Sequence, residues 1–428
     1  MSNPMLLHGS KPFKHTTRKT YKLSAGVKSI IVLGSFILAF ALLYAEDRFF
    51  LFGISLSNLW KFGLVGLSFV YVLIRFGSKI PPFFLITSGV LISLAINGNS
   101  TFSMDDLERI FVFLVMPLSY YTWYYYSFHN LERLKYILIC LSIFFLVSTI
   151  PFILGWVQPV ETLRIGLSSF AESYNLESNM LIGFFKHPAI SSKVFVLSVA
   201  VIFSLGYMNN KISPINKIWL LLIILLGFYC LYLSFTRTGW LMMALFFSYY
   251  ILNAKSLGPF KKIIGAILIF STFYYLLINN DAFYSRIFGI REGAISSANI
   301  ITEVSSGRNT IYFSILELIF RGDALTFYFG FGSEAFNELN FGAAAHNLFL
   351  EYFAVGGLIS LVLYVIWYLM LYREILRSNN NMSISSSVFA LFYISLVGSL
   401  ISHGFGFYGS ILFGGLLAYN RLLAKKNS

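Results

Sequence analysis

Few side chains in this sequence exchange a proton near neutral pH. One that does, His346, stands in the run Ala343-Ala344-Ala345-His346-Asn347-Leu348-Phe349-Leu350-Glu351, ahead of an apolar stretch carrying Gly356-Gly357. The positive end of a helix beginning after His346 favours the neutral imidazole, which accepts a proton. A helix-capping or ring-stacked histidine is the structural alternative. His187, in Phe184-Phe185-Lys186-His187-Pro188, closes a second loop, where a structural role is the plainer reading.

The cations are distributed unevenly by type. Arg48, Arg109, Arg164, Arg237, Arg286, Arg291, Arg308 and Arg321 fall on or beside one set of alternate loops, whereas lysine dominates the other set. A planar guanidinium stays charged when partly desolvated and matches phosphate oxygens, so such a group suits an anionic ligand such as a lipid diphosphate. Ion pairing with nearby Asp and Glu is the alternative for any single arginine. Arg308 follows Ser305-Ser306-Gly307 at an expected helix start, where a cation opposes the helix dipole but joins the helix N-terminus in holding a phosphate. Arg237 lies in Ser234-Phe235-Thr236-Arg237-Thr238-Gly239-Trp240, a polar break between two apolar runs; a charge there lines a cavity or snorkels to headgroups.

Other chemistries are poorly represented. Glu46-Asp47 and Asp105-Asp106 are carboxylate pairs with the oxygen ligands a divalent metal takes, though adjacent acids in loops are ordinarily just solvated, and no metal site is expected. Cys140 and Cys230 both fall inside apolar runs and read as packing residues. The sequence holds no nucleotide-binding glycine fingerprint, serine-nucleophile elbow or metal-spaced histidine pair.

Positioning these residues is the task of an apolar chain. At 428 residues with 57% hydrophobic and only 11% charged side chains, it exceeds what a soluble fold of ordinary size can hide from water, and reads as an all-α integral membrane protein. Apolar runs long enough to cross hydrocarbon lie near 28–45, 54–74, 82–97, 107–126, 136–156, 188–208, 217–235, 239–253, 261–279, 347–372, 386–403 and 405–420. Most of the 31 basic residues fall in the N-terminal arm and alternate loops, which places both termini in the cytoplasm by the preference of positive charge for that side. The formal net charge of +13 then faces anionic lipid, and no nucleic-acid partner is expected.

The organisation that follows is a basic cytoplasmic arm over 1–27, nine helices over 28–279, a large outer loop over 280–346, three helices over 347–420 and a cytoplasmic tail over 421–428. A second outer loop spans 157–187. Within the large loop, Ile311, Ile315, Leu318 and Ile319 recur at helical spacing before Gly322, predicting an amphipathic helix on the membrane surface. Phe329-Gly330-Phe331-Gly332-Ser333 then permits tight turns. Most of the 46 Phe and 27 Tyr are explained by membrane packing and interfacial belts.

These pieces together resemble the bacterial O-antigen ligase and polymerase family of multispanning membrane proteins. The resemblance is carried by the Ser-Phe-Thr-Arg237-Thr-Gly-Trp break, Ser-Gly-Arg308, Gly330-Phe-Gly332 with Phe336, and His346-Asn347 with Glu351 and Gly357; Gly183-Phe-Phe-Lys186-His187-Pro188 adds to it. It covers roughly residues 180 to 360. An Arg-x-x-x-Leu pattern is met by Arg321 with Leu325 but not by Arg308, so either arginine is left to inherit the family's role.

The resemblance implies a GT-C-like glycosyltransferase fold of about 12 helices in the bacterial inner membrane, with a periplasmic site. The implied donor is an undecaprenyl-diphosphate-linked glycan, transferred to a sugar hydroxyl of a second lipid-linked unit, with no cofactor and no metal. Catalysis would fall to His346, Arg308 and Arg237, with Arg321, Asn347, Arg164, His187, Lys186 and Arg291 binding substrate. A chain-length-regulating protein is an optional partner. Ligation of a finished chain to lipid A-core is the alternative within the family, and a flippase the alternative outside it.

Overall fold

The computed structural model describes residues 34, 50–51, 54–76, 104–128, 130–157, 181, 183, 185, 188–208, 212–253, 258–278, 308–331, 347–377, 388–396 and 405–427. Apart from a two-residue antiparallel pairing of β1 (Phe50–Leu51) with β2 (Ile54–Ser55), its regular elements are helices. They are α1 (Leu56–Phe76), α2 (Met104–Tyr126), α3 (Leu131–Val147), the short α4 (Ile150–Ile153), α5 (Pro188–Val201), α6 (Pro214–Leu233), α7 (Arg237–Asn253), α8 (Pro259–Ile278), α9 (Arg308–Arg321), α10 (Ala324–Phe329), α11 (Leu348–Arg377), α12 (388–396) and α13 (Gly406–Asn427). A π-helical segment, Ile202–Tyr207, prolongs α5.

The segments starting at Asn58, Leu131, Pro188, Pro214 and Leu348 are long and apolar enough to cross a membrane, five among the described residues. The run expected at 82–97 lies outside those residues, as does that at 28–45 apart from residue 34. The helix observed over 308–321 agrees with the one expected in the large loop, and it buries Ile315 and Ile319 while Phe313 and Phe320 stay exposed.

α5 is the hub. It is buried along nearly its whole length and packs against α3, α6, α7 and α13. Lipid tails are as apolar as leucine, so helices surrounded by them gain little from hydrophobicity and associate through close backbone approach and interhelical hydrogen bonds. The α2–α13 seam is built that way. A side chain at Gly414 would collide with Ser119 and the Tyr120 backbone, and one at Gly415 with Leu138 of the adjoining α3. Across the same seam the Ser119 hydroxyl donates to the Ser410 carbonyl at 2.9 Å and the Trp123 indole to the Ile411 carbonyl at 3.2 Å.

The run expected to cross once over 347–372 does something else. Its backbone leaves helical geometry at Gly357 (φ 66°, ψ −169°). On a straight helix Phe349 and Tyr368 would stand about 28 Å apart at 1.5 Å per residue, yet their rings meet at 5.9 Å. Tyr352 stacks on Tyr364 at 4.1 Å and Phe349 packs on Tyr364 at 5.2 Å. Contacts symmetric about Gly357 require the two halves to fold back on one another. Although the segment as a whole has the length and apolarity of a span, only its second part, 358–377, is a continuous helix of that length. Leu348–Gly356 is a half-helix of about 13 Å.

Candidate functional site

Two assemblies gather the motifs singled out in the sequence. The first forms where α6 ends and α7 begins. Ser234 caps α6, its amide donating to the Cys230 carbonyl and its buried hydroxyl to the Leu231 carbonyl at 2.7 Å. The same hydroxyl lies 3.0 Å from that of Thr236. Phe235 takes φ +48°, which lets the chain reverse within two residues so that Arg237 can open α7. Polar backbone between two apolar helices needs partners. One comes from far away in sequence, since the Leu181 amide donates to the Leu233 carbonyl at 2.9 Å.

That hydrogen bond ties the start of the Gly183-to-Pro188 segment to the Ser234–Arg237 break. Ser191 continues the tie, its hydroxyl donating to the Pro188 carbonyl at 2.9 Å. Gly239 lets α7 approach α5, because a Cβ there would lie 2.7 Å from the Cβ of Ser192. Thr149, beyond the end of α3, completes the junction: its hydroxyl lies 3.0 Å from the Cys230 sulfur, and its methyl lines the space next to Gly183. Cys230 is therefore a packing residue, as expected, whereas Cys140 faces outward.

α5 also buries a cation that the sequence places toward the outer end of its span. Lys193 is 2% exposed, among the largest fully buried side chains of the protein, one residue along α5 from Ser192. It lies between Ile190 and Leu197, both of which face the Gly406–Gly409 end of α13. A lysine inside an apolar span is itself a signal for function.

The second assembly joins the large-loop helices to the broken helix. Asp323 caps α10, its carboxylate accepting from the Thr326 amide at 2.8 Å and the Thr326 hydroxyl at 2.6 Å. Those hydrogen bonds to the charged form hold the Asp323 carboxyl below its ordinary range. α10 ends at Gly330 (φ 79°, ψ −177°), which lies directly against Gly357; a Cβ on either would penetrate the other strand's backbone. The Phe331 amide then donates to the Ala354 carbonyl at 2.8 Å, and Phe327 meets Phe353 edge to face at 5.7 Å. α9 packs on α11 as well.

At the other end of the half-helix, Asn347 is buried and its side-chain oxygen accepts from the Phe349 and Leu350 amides at 3.0 and 3.2 Å. Asn347, a residue expected to bind substrate, thus caps the half-helix. The pairing of Phe349 with Tyr368 sets Asn347 level with the middle of 358–377, about 16 Å from the Gly357 tip at 1.5 Å per residue.

Arg321 is also placed plainly. Its side chain is 78% exposed and paired with Glu317 one turn back, which is the ordinary role of an i,i+4 ion pair. Arg164, Lys186, His187, Arg291 and His346 lie outside the described residues, as do Glu46 and Asp47, and the side chains of Arg237 and Arg308 are likewise not described. Among the described residues no three His, Cys, Asp or Glu side chains converge as metal ligands.

Together these elements define an all-helical protein with helices of membrane-spanning length, a polar junction around α5 and a half-helix docked under a loop helix. No family model matches the sequence, and no curated protein matches it.

Proposed function

We propose that this protein is a membrane glycosyltransferase of the polysaccharide-polymerase type, acting at the outer face of the bacterial inner membrane on polyprenyl-diphosphate-linked glycans. The observation that carries the reading is the contact of Gly330 with Gly357, which docks the helix pair opened by Arg308 onto the half-helix that begins after His346-Asn347. Residues from separate stretches of the chain thus share one support. Arg373 and Arg377, at the far end of 358–377, belong on the cytoplasmic side by their charge, which sets the Gly357 tip outward. Asn347 then lies about halfway into hydrocarbon roughly 30 Å thick, at the dipole-positive end of the half-helix.

In this mechanism a hydroxyl oxygen of the acceptor sugar attacks the anomeric carbon of the donor. The bond from that carbon to the diphosphate oxygen breaks with inversion, and His346 takes the hydroxyl proton. Arg237 and Arg308 neutralise the departing diphosphate.

The test is chain growth. His346→Ala and Arg308→Ala each abolish polymer while the protein remains inserted; a ladder of normal length from either removes that residue from the mechanism. Purified protein given only lipid-linked repeat units elongates them if it is a polymerase. Transfer that begins only when lipid A-core is supplied assigns ligation instead, and movement of the unit across vesicles without any new glycosidic bond assigns a flippase.

A further inference from the structure

The face of α9 that its periodicity assigns to the membrane is occupied by protein: Ile315 and Ile319 are buried, and the helix packs on α10 and α11. A second apolar face lies on the other side. Phe313 and Phe320 stand seven residues apart, within about 20° of two full turns, so they share one stripe of the helix. They are 71% and 67% exposed. The stripe continues onto α10, because the rings of Phe320, Phe327 and Tyr328 touch in sequence at 6.0 and 5.4 Å. Leu325 and Tyr328, three residues apart on α10, are exposed as well.

The break in α11 fixes the height of this patch. The helix over 358–377 is about 30 Å long at 1.5 Å per residue, the thickness of the hydrocarbon core, so Gly357 marks one of its boundaries. α10 is tied there at three points: Gly330 lies against Gly357, the Phe331 amide donates to the Ala354 carbonyl at 2.8 Å, and Phe327 packs on Phe353 at 5.7 Å. Phe353 is about 6 Å along the half-helix from Gly357. Val362, five residues beyond Gly357, is exposed on the span itself, so the lipid-facing surface of α11 begins just inside this dock.

We infer that α9 and α10 form an interfacial anchor, in which Phe313, Phe320, Leu325 and Tyr328 insert into the boundary between headgroups and acyl chains at the Gly357 end of the bilayer. Aromatic side chains concentrate in that layer, and an amphipathic helix there buries its apolar stripe by about 5–10 Å. The exposed Glu317–Arg321 pair flanks the stripe, where its charges reach water while the stems lie along lipid. A protein or glycan partner in the aqueous phase would need these rings beyond the boundary, and the ties to Ala354 and Phe353 hold α10 at it. The anchor is independent of the reaction proposed above.

The test reads immersion directly. In full-length protein carrying Cys140→Ser and Cys230→Ser, a single cysteine is introduced by Phe313→Cys, Phe320→Cys, Leu325→Cys or Tyr328→Cys, with Arg321→Cys as the control on the charged flank. Each is labelled with an environment-sensitive fluorophore in nanodiscs of phosphatidylethanolamine and phosphatidylglycerol. Quenching by lipid bearing a nitroxide near the top of its acyl chain is expected to be about five-fold stronger at the four apolar positions than at Arg321, and quenching by aqueous iodide about five-fold weaker. Iodide quenching equal to that at Arg321 puts the patch in water and overturns the inference. Protection from both quenchers means that protein covers the patch, a partner or a second copy, and overturns it too. Failure of any one variant to fold leaves the contrast at the remaining positions to decide.

Discussion

Gly330 and Gly357 meet backbone to backbone, each with positive φ, 79° and 66°, one ending the loop helix α10 and the other breaking α11. Neither position tolerates a side chain, and the reason is mutual: the atoms a Cβ would strike belong to the partner's strand. The contact is what joins the large loop to the half-helix.

Substituting either glycine by alanine costs about 1–3 kcal/mol in backbone strain alone, because positive φ with ψ near 180° is essentially a glycine-only region. Because both changes break one contact, Gly330→Ala and Gly357→Ala together are expected to destabilise by less than the sum of the single variants, with a coupling of at least about 0.5 kcal/mol. Thermal unfolding of the purified protein in detergent measures it, and additive losses would mean that the two positions do not share a contact.

The fold-back of α11 gives a distance that a straight helix cannot mimic. With Cys140 and Cys230 replaced by serine, Phe349→Cys with Tyr368→Cys is expected to be bridged by a short bifunctional thiol reagent, as side chains whose rings now meet at 5.9 Å should be. Spin labels at the two positions reporting about 28 Å would restore a straight helix and remove the fold-back.

Asn347 is expected to act as a cap before anything else. Asn347→Ala should cost about 1 kcal/mol, and Asn347→Ser, which keeps an accepting oxygen at the helix N-terminus without burying a charge, should recover most of it in the same melting experiment. Loss of polymer from both variants at unchanged stability would return Asn347 to substrate binding.

The two arginines of α9 separate by environment. Arg321→Ala removes one exposed ion pair with Glu317, so stability should change by no more than about 0.5 kcal/mol and polymer length should stay normal. Arg308→Ala should abolish the polymer. The reverse pattern on a surface-polysaccharide gel would hand the role to Arg321.

The Asp323 cap has a defined pH sense. Its carboxyl is held below the ordinary range by the Thr326 hydroxyl and amide, so its contribution to α10 is present above the unfolded carboxylate value, about 3.9, and is lost as pH falls through the lower folded value. Asp323→Asn should flatten that acid limb, read as protection of the α10 amides in hydrogen exchange between pH 2 and 5.

Much of this architecture was legible beforehand, because apolar length and glycine punctuation are properties of sequence alone. The helices over 56–76, 188–207, 214–233 and 308–321 stand where hydrophobic runs and turn residues put them, within a few positions. The polar break at Ser234–Arg237 was equally visible as an interruption in hydropathy.

What sequence by itself determined, then, was that the chain is helical and apolar enough for a membrane. Tertiary structure decided what its motifs rest on. Gly356-Gly357 inside an apolar run is compatible with a kink in a straight span, and only the stacking of Tyr352 on Tyr364 and the docking of Gly330 turn it into a reversal. Lys193 likewise reads as one cation near the end of a span until four neighbouring helices close around α5 and bury it. Periodicity reports which face of an element is apolar. It carries no information about which distant backbone will come close enough to exclude a side chain.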